Sequence, residues 1–166
     1  MQMNSMQDLM VESLCDLRAT EEKQLQALPS LIGAIQTPEL KQAIQQHEQQ
    51  TRSHIQRLDQ IFQKLGQQPK PIQNPVLDAM VQRAQQILTS QGDPQVKEAA
   101  LIAEAQKFDH FEMAGYGTAA AFCKILGDQD AARTLAQILS EEKQNDERLS
   151  QIAESRSNVQ AAKQTM

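Results

Sequence analysis

Chain-breaking residues fall at only a few places in this 166-residue sequence. Between them apolar residues return every third or fourth position, with no strand-like alternation, so long amphipathic helices are the regular structure that this pattern supports. The first helix is predicted to begin after Asn4 or Ser5 and to run through Leu9, Leu14, Leu17, Leu25 and Leu28 to about Ile35, with a kink at Pro29. Thr37 and Pro38 open a second helix that carries Leu40, Ile44, Leu58 and Phe62 to Leu65 and stops at Gly66. Pro69, Pro71 and Pro75 demand an extended connection, and a shorter helix is expected from Pro75 to about Ser90, before Gly92. Asp93 and Pro94 start a long helix that ends at Leu126 with Gly127 beyond it. Asp128 then caps a last helix through Leu135, Ile138, Leu139, Leu149 and Ile152.

Four long helices in two hairpins, joined by one long crossover that carries a short fifth helix, have the connectivity of a ferritin-like four-helix bundle. A simple up-down bundle would use a shorter link. The expected fold class is therefore all-α, with one bundle domain over residues 1–157 and a polar tail, 158–166, that frays. Aromatic residues make up 3% of the chain and Trp is absent, which suits a core of Leu, Ile, Ala and Met packed between helices. The net charge of -5 and a pI near 5.2, with no basic run, weigh against nucleic acid and anionic lipid as partners. No stretch approaches the ~20 apolar residues of a membrane span. Met1–Met10 has neither a basic nor an apolar leader region, so a cytoplasmic location is expected. Cys15 and Cys123 lack CxxC spacing and read as reduced core thiols.

Polar residues interrupt the apolar stripe near the middle of each long helix. Glu21 continues the row Leu14, Leu17, Leu25, Leu28, whereas Glu22 is turned aside. On the second helix the row is Leu40, Ile44, His47, Thr51, His54, Leu58, with Gln50 at its rim. The fourth helix places Asp109 and Glu112 inward, followed one turn later by Tyr116, and the last helix places Glu142 and Asp146 there. A charged group on a buried stripe costs several kcal/mol, roughly, unless an opposite charge meets it. In a four-helix bundle such a carboxylate and imidazole set suits Fe or Mn, one or two ions, and implies oxygen or peroxide chemistry. The alternative is that these acids are solvated edge residues and the two histidines are hydrogen-bonded core groups. Tyr116 reads as a hydroxyl that satisfies a core carboxylate.

The runs DLRATEEKQLQALP, HEQQTRSHIQRLDQIFQKLG, AALIAEAQKFDHFEMAGYGTAAAF and EEKQNDERLSQIAE resemble, in the same order, the YciE/YciF family of small bacterial ferritin-like proteins. That resemblance implies a bundle, usually dimeric, with a dinuclear metal site and a link to stress responses. Carried over by motif, Glu21, Glu112 and the pair Glu142 and Asp146 match the family pattern, Asp109 shortens a usual glutamate, and His54 is retained. Gln50 stands where the family generally has glutamate, which replaces one anionic ligand by a neutral amide. The set expected to hold metal is thus Glu21, Gln50, His54, Asp109, Glu112, Glu142 and Asp146. A homodimeric metal protein that meets oxygen or peroxide under stress is the first functional expectation. A metal-poor bundle serving as a scaffold or stress-associated interaction module, suggested by Gln50, is the second.

Overall fold

A computed structural model describes residues 3–163. It comprises α1 (Met6–Ala34), α2 (Pro38–Lys64), α3 (Pro75–Thr89), α4 (Pro94–Ile125), α5 (Gln129–Ile152) and, after a π-helical turn at Ala153–Ser157, α6 (Asn158–Lys163). Among the described residues there is no strand.

Local chemistry accounts for most of the boundaries. Ser5, Asn74, Asp93 and Asp128 each accept backbone N–H groups from the first turn that follows. Gly66 and Gly127 adopt positive φ (62° and 86°), which lets Gln67 N donate to Phe62 O and Asp128 N to Cys123 O across the ends of α2 and α4. Thr37 departs from expectation. Its hydroxyl makes no cap and instead donates to Glu98 Oε2 (2.6 Å) on α4, while Thr37 N (3.0 Å) and Gln36 N both donate to Glu98 Oε1. The turn between the first two helices is therefore tied to the second hairpin by a buried carboxylate. Helix α1 passes through Pro29 without a break in its residue span. Of the polar tail, residues 158–163 form α6 beyond the π-helical turn, and residues 164–166 lie outside the described residues.

Helices α1 and α2 form one hairpin and α4 and α5 the other, with α1 against α4 and α2 against α5, so the four close a ring. The crossover helix α3 lies outside, on α4 and α1, burying Leu77 and Ile87. Two apolar clusters fill the ring. At one end Met10, Leu14, Leu17, Leu58, Ile61, Phe62, Leu135 and Ile138 pack together. At the other are Leu28, Ile35, Leu40, Ile44, Ile102, Leu149 and Ile152. Every long helix crosses from one cluster to the other, and the polar residues of the stripes occupy the layer between. No described helix is long and apolar enough to cross a membrane.

Candidate metal centre

The middle layer draws on all four helices. Glu21 and Gln24 come from α1, His47, Thr51 and His54 from α2, Asp109, Glu112 and Tyr116 from α4, and Glu142 and Asn145 from α5; all are buried. Steps of three, four or seven along each helix keep these groups on one face, which is why a continuous helix can deliver several of them to one point.

Within the layer the possible donor atoms form two groups. One atom each from His47, Asp109, Glu112 and Glu142 lie within 4.8 Å of one another, and so do atoms of Glu21, His54 and Glu142. Glu142 belongs to both. Its Oε1 and Oε2 have no hydrogen-bond partner, and the same is true of Glu21 Oε2, Glu112 Oε1 and both ring nitrogens of His47. Buried polar atoms without a partner are rare, because each costs about 1–3 kcal/mol, and here they converge on one place.

A surrounding set of hydrogen bonds orients the donors. Gln24 Nε2 donates to Glu112 Oε2 (3.0 Å) while Gln24 Oε1 accepts from Thr51 Oγ1 (3.0 Å). Asn145 Nδ2 donates to Asp109 Oδ2 (2.8 Å), and the Tyr116 hydroxyl donates to Glu21 Oε1, so the tyrosine satisfies a core carboxylate as its position suggested. His54 Nε2 lies 2.8 Å from Glu141 Oε2, and Arg57 Nη1 reaches Glu141 Oε1 at 3.0 Å. A carboxylate behind an imidazole fixes the ring and raises its basicity, an arrangement common around metal-binding histidines.

The electrostatics of the metal-free layer are those of crowded acids. Burial, reinforced by Glu142, pushes the Asp109 carboxyl well above its usual range. Burial, with repulsion from Glu21 and Glu142, does the same for Glu112, and burial beside Glu21 raises Tyr116. Burial alone would depress His54, but its contacts with Glu142 and Glu21 outweigh this and raise it to about 10. His47 is lowered by burial, against the pull of Glu142. Glu141 is lowered: burial opposes this, and Arg57 and His54 prevail.

Of the residues expected to hold metal, the structure gathers Glu21, His54, Asp109, Glu112 and Glu142. Asp146 is in neither donor group. Gln50 is half-buried at the rim, turned about 100° from the fully buried Thr51. Asp146 is also half-buried, accepting from Gln106 Nε2 (3.0 Å) and lying 3.5 Å from His110 Nε2, while Asn145 beside it points inward. His47, read from the sequence as inward-facing but left out of the expected set, joins the first group. Gln24 and Asn145 were missed, although each stands three residues after an inward glutamate.

Residues 5–162 match a domain of unknown function, DUF892. The chain belongs to the DUF892 family. Protein YciF of Escherichia coli (strain K12) is 32% identical over 162 residues, covering 97% of this chain and 98% of YciF. The crystal structure of that E. coli stress protein superposes with a TM-score of 0.90 over 94% of this chain and 99% of the other. YcfI of Rhodopseudomonas palustris, 35% identical, gives 0.86 over 90% and 95% of the two chains. A two-domain protein of Anabaena variabilis, with DJ-1/ThiJ/PfpI-like and ferritin-like domains, matches 93% of this chain and 38% of its own at 19% identity and a TM-score of 0.62. That last likeness concerns fold alone, and it agrees with the ferritin-like bundle of this DUF892 member.

Proposed function

We propose that this DUF892 protein is a ferritin-like metal protein in which His47, Asp109, Glu112 and Glu142 would hold one Fe or Mn ion and Glu21, His54 and Glu142 a second, with Glu142 common to both sets. The observation that carries this reading is the convergence of unpartnered, buried donor atoms from all four helices. The donor chemistry fits as well. Dinuclear carboxylate bundles use a glutamate from each of two helices and a Glu-x-x-His pair from each of the other two. Here both pairs are half complete, since Thr51 precedes His54 and Asn145 follows Glu142 at three residues. Asp109 and His47, each about one turn from the centre of its helix stripe, supply one carboxylate and one imidazole. The set of four carboxylates and two imidazoles is thereby retained, with a mixture that suits Fe or Mn better than structural zinc.

When bound, such ions supply redox chemistry toward oxygen or peroxide, the substrates proposed here. The chain's own part is to hold the donors, to orient them through Gln24, Asn145, Tyr116 and Glu141, and to close the layer along the bundle with an apolar cluster at either end. The described E. coli relative is a stress protein, which makes oxidative or related stress the setting proposed for this one, acting in the cytoplasm as a homodimer.

Metal content per chain, read by plasma mass spectrometry on untagged protein beside Glu21→Ala and Glu142→Ala, is the test. About two ions per chain in the parent, fewer in both variants, is the expected result. No stoichiometric metal after anaerobic reconstitution with Fe(II) or Mn(II) would overturn it. That result would favour the second reading, a scaffold or interaction module. One observation speaks for it: Gln24 and Asn145 already bond two of the acids, and His54 sits between two more as a counter-charge.

A further inference from the structure

A partly enclosed cavity of about 110 Å³ lies between α1, α3 and α4, reaching the metal layer from the side that the crossover helix covers. Its walls are apolar, with Leu28, Ala84, Leu101 and Phe108 among them, and its lining includes His47 and Asp109 of the first donor group. His47 is almost wholly buried. Its Nε2 stands 3.9 Å from Asp109 Oδ1, and its Nδ1 has no hydrogen-bond partner. A ring nitrogen buried without a partner at the end of an apolar space is a polar group in need of a ligand.

We infer that this cavity is a substrate site for a small neutral molecule with an apolar body and a single hydroxyl or carbonyl head, the head meeting His47 beside the metal centre. The inference rests on the metal reading above and extends it to substrates larger than oxygen or peroxide. Size follows from comparison: an engineered cavity of roughly 150 Å³ takes benzene, so the enclosed part of this smaller space suits about four to six non-hydrogen atoms, and its open side leaves room for about one more. Charge follows from the floor. The floor carries the donors assigned to the metal, and the largely apolar lining leaves a charged head of either sign without solvation, so a neutral head is favoured. The crossover helix acquires a purpose on this view, since α3 supplies Met80, Val81 and Ala84 to one wall and leaves the four-helix ring itself untouched.

Phenol and toluene, equal in size and different in one hydroxyl, are the probes, titrated into the full-length chain while methyl resonances of Leu28, Leu31 and Leu101 are followed. Phenol is expected to shift them saturably and to bind roughly three- to tenfold tighter than toluene, the worth of one neutral hydrogen bond. Ala84→Phe, which fills the cavity, is expected to abolish saturable binding. Ala84→Leu does so by a smaller step and decides the matter if the phenylalanine variant does not fold. Phenol that binds no tighter than toluene, or equally well in both folded variants, would overturn the inference. Metal content measured on the same samples separates the two ideas. A chain that holds metal and ignores phenol loses the substrate site alone, whereas one that binds phenol and holds no metal loses the metal reading and keeps only a ligand cavity.

Discussion

His54 Nδ1 lies 3.0 Å from Glu142 Oε1 at the middle of the bundle, and the same nitrogen lies 3.0 Å from Glu21 Oε1. Its hydrogen bond is directed to Glu21, so the Glu142 contact is electrostatic and leaves both Glu142 oxygens without a hydrogen-bond donor. In the metal-free chain His54 is thus the local cation for two buried acids. A metal ion on this nitrogen would take over that role, with the proton released.

The shared position of Glu142 sets apart two substitutions that look alike on the page. Glu142→Gln is expected to remove both ions, whereas Glu21→Gln touches only the second group and leaves about one ion per chain bound among His47, Asp109, Glu112 and Glu142. Metal analysis of the two variants after anaerobic loading checks this. Equal losses would mean that the two groups do not bind separately.

Stability of the metal-free chain should fall as pH rises. Asp109 and Glu112 have folded-state values raised above the unfolded carboxyl range, so their contribution is complete below about pH 4 and is lost as pH climbs through the folded values. His54, raised to about 10, contributes fully below the unfolded value near 6.5 and loses that contribution toward pH 10. His47 works in the other direction: its lowered value favours folding above about pH 6.5 and is lost as pH falls through the folded value. Thermal melts followed by circular dichroism should therefore show Tm declining between pH 7 and pH 9 without metal, the window in which folded His54 keeps a proton that the unfolded chain has released. The gain in Tm on adding Mn(II) should grow over the same interval, because the ion competes with protons.

Gln24 bonds Thr51 on one side and Glu112 on the other, so Gln24→Leu removes a link between α1, α2 and α4. Loss of about 1–3 kcal/mol of metal-free stability is expected from the groups left unpaired. Metal affinity should fall by roughly 10–100-fold once Glu112 is no longer held. Chemical denaturation and competition with a chelator measure the two effects. An unchanged affinity would show that Glu112 does not depend on this partner.

Glu98 offers a control far from the donors. Replacing it by Ala leaves Gln36 N, Thr37 N and the Thr37 hydroxyl without their acceptor, for an expected cost of about 2–4 kcal/mol. Metal content of the folded fraction should stay at the parental level. A loss of metal in this variant would tie the α1–α2 turn to the centre.

Helix existence was legible because breakers and caps act over a few residues. Asn4 or Ser5, Asp93, Asp128, Gly66 and Gly127 mark ends that the structure places within a residue or two of expectation. Thr37 shows the limit of that reading, since its hydroxyl answers a carboxylate 61 positions away in preference to its own helix. The inward rows were legible to within one position. Glu21, Thr51, His54, Glu112 and Glu142 lie where periodicity put them, with Gln50 at the rim as read, while Asp146 yields to Asn145.

The sequence by itself determined that this chain forms long helices, where most of them begin and end, and that acids and imidazoles interrupt their buried faces midway, since local hydrogen bonding and a 3.6-residue period govern all three. Only the tertiary structure decided that Asn145 and not Asp146 points inward, that His47 and Asp109 share a group with Glu112 and Glu142, and that α3 walls a cavity reaching His47. The reason is geometric. Adjacent residues on a helix diverge by about 100°, and the packing of four helices against one another selects the rotation that brings unlike charges and donors together.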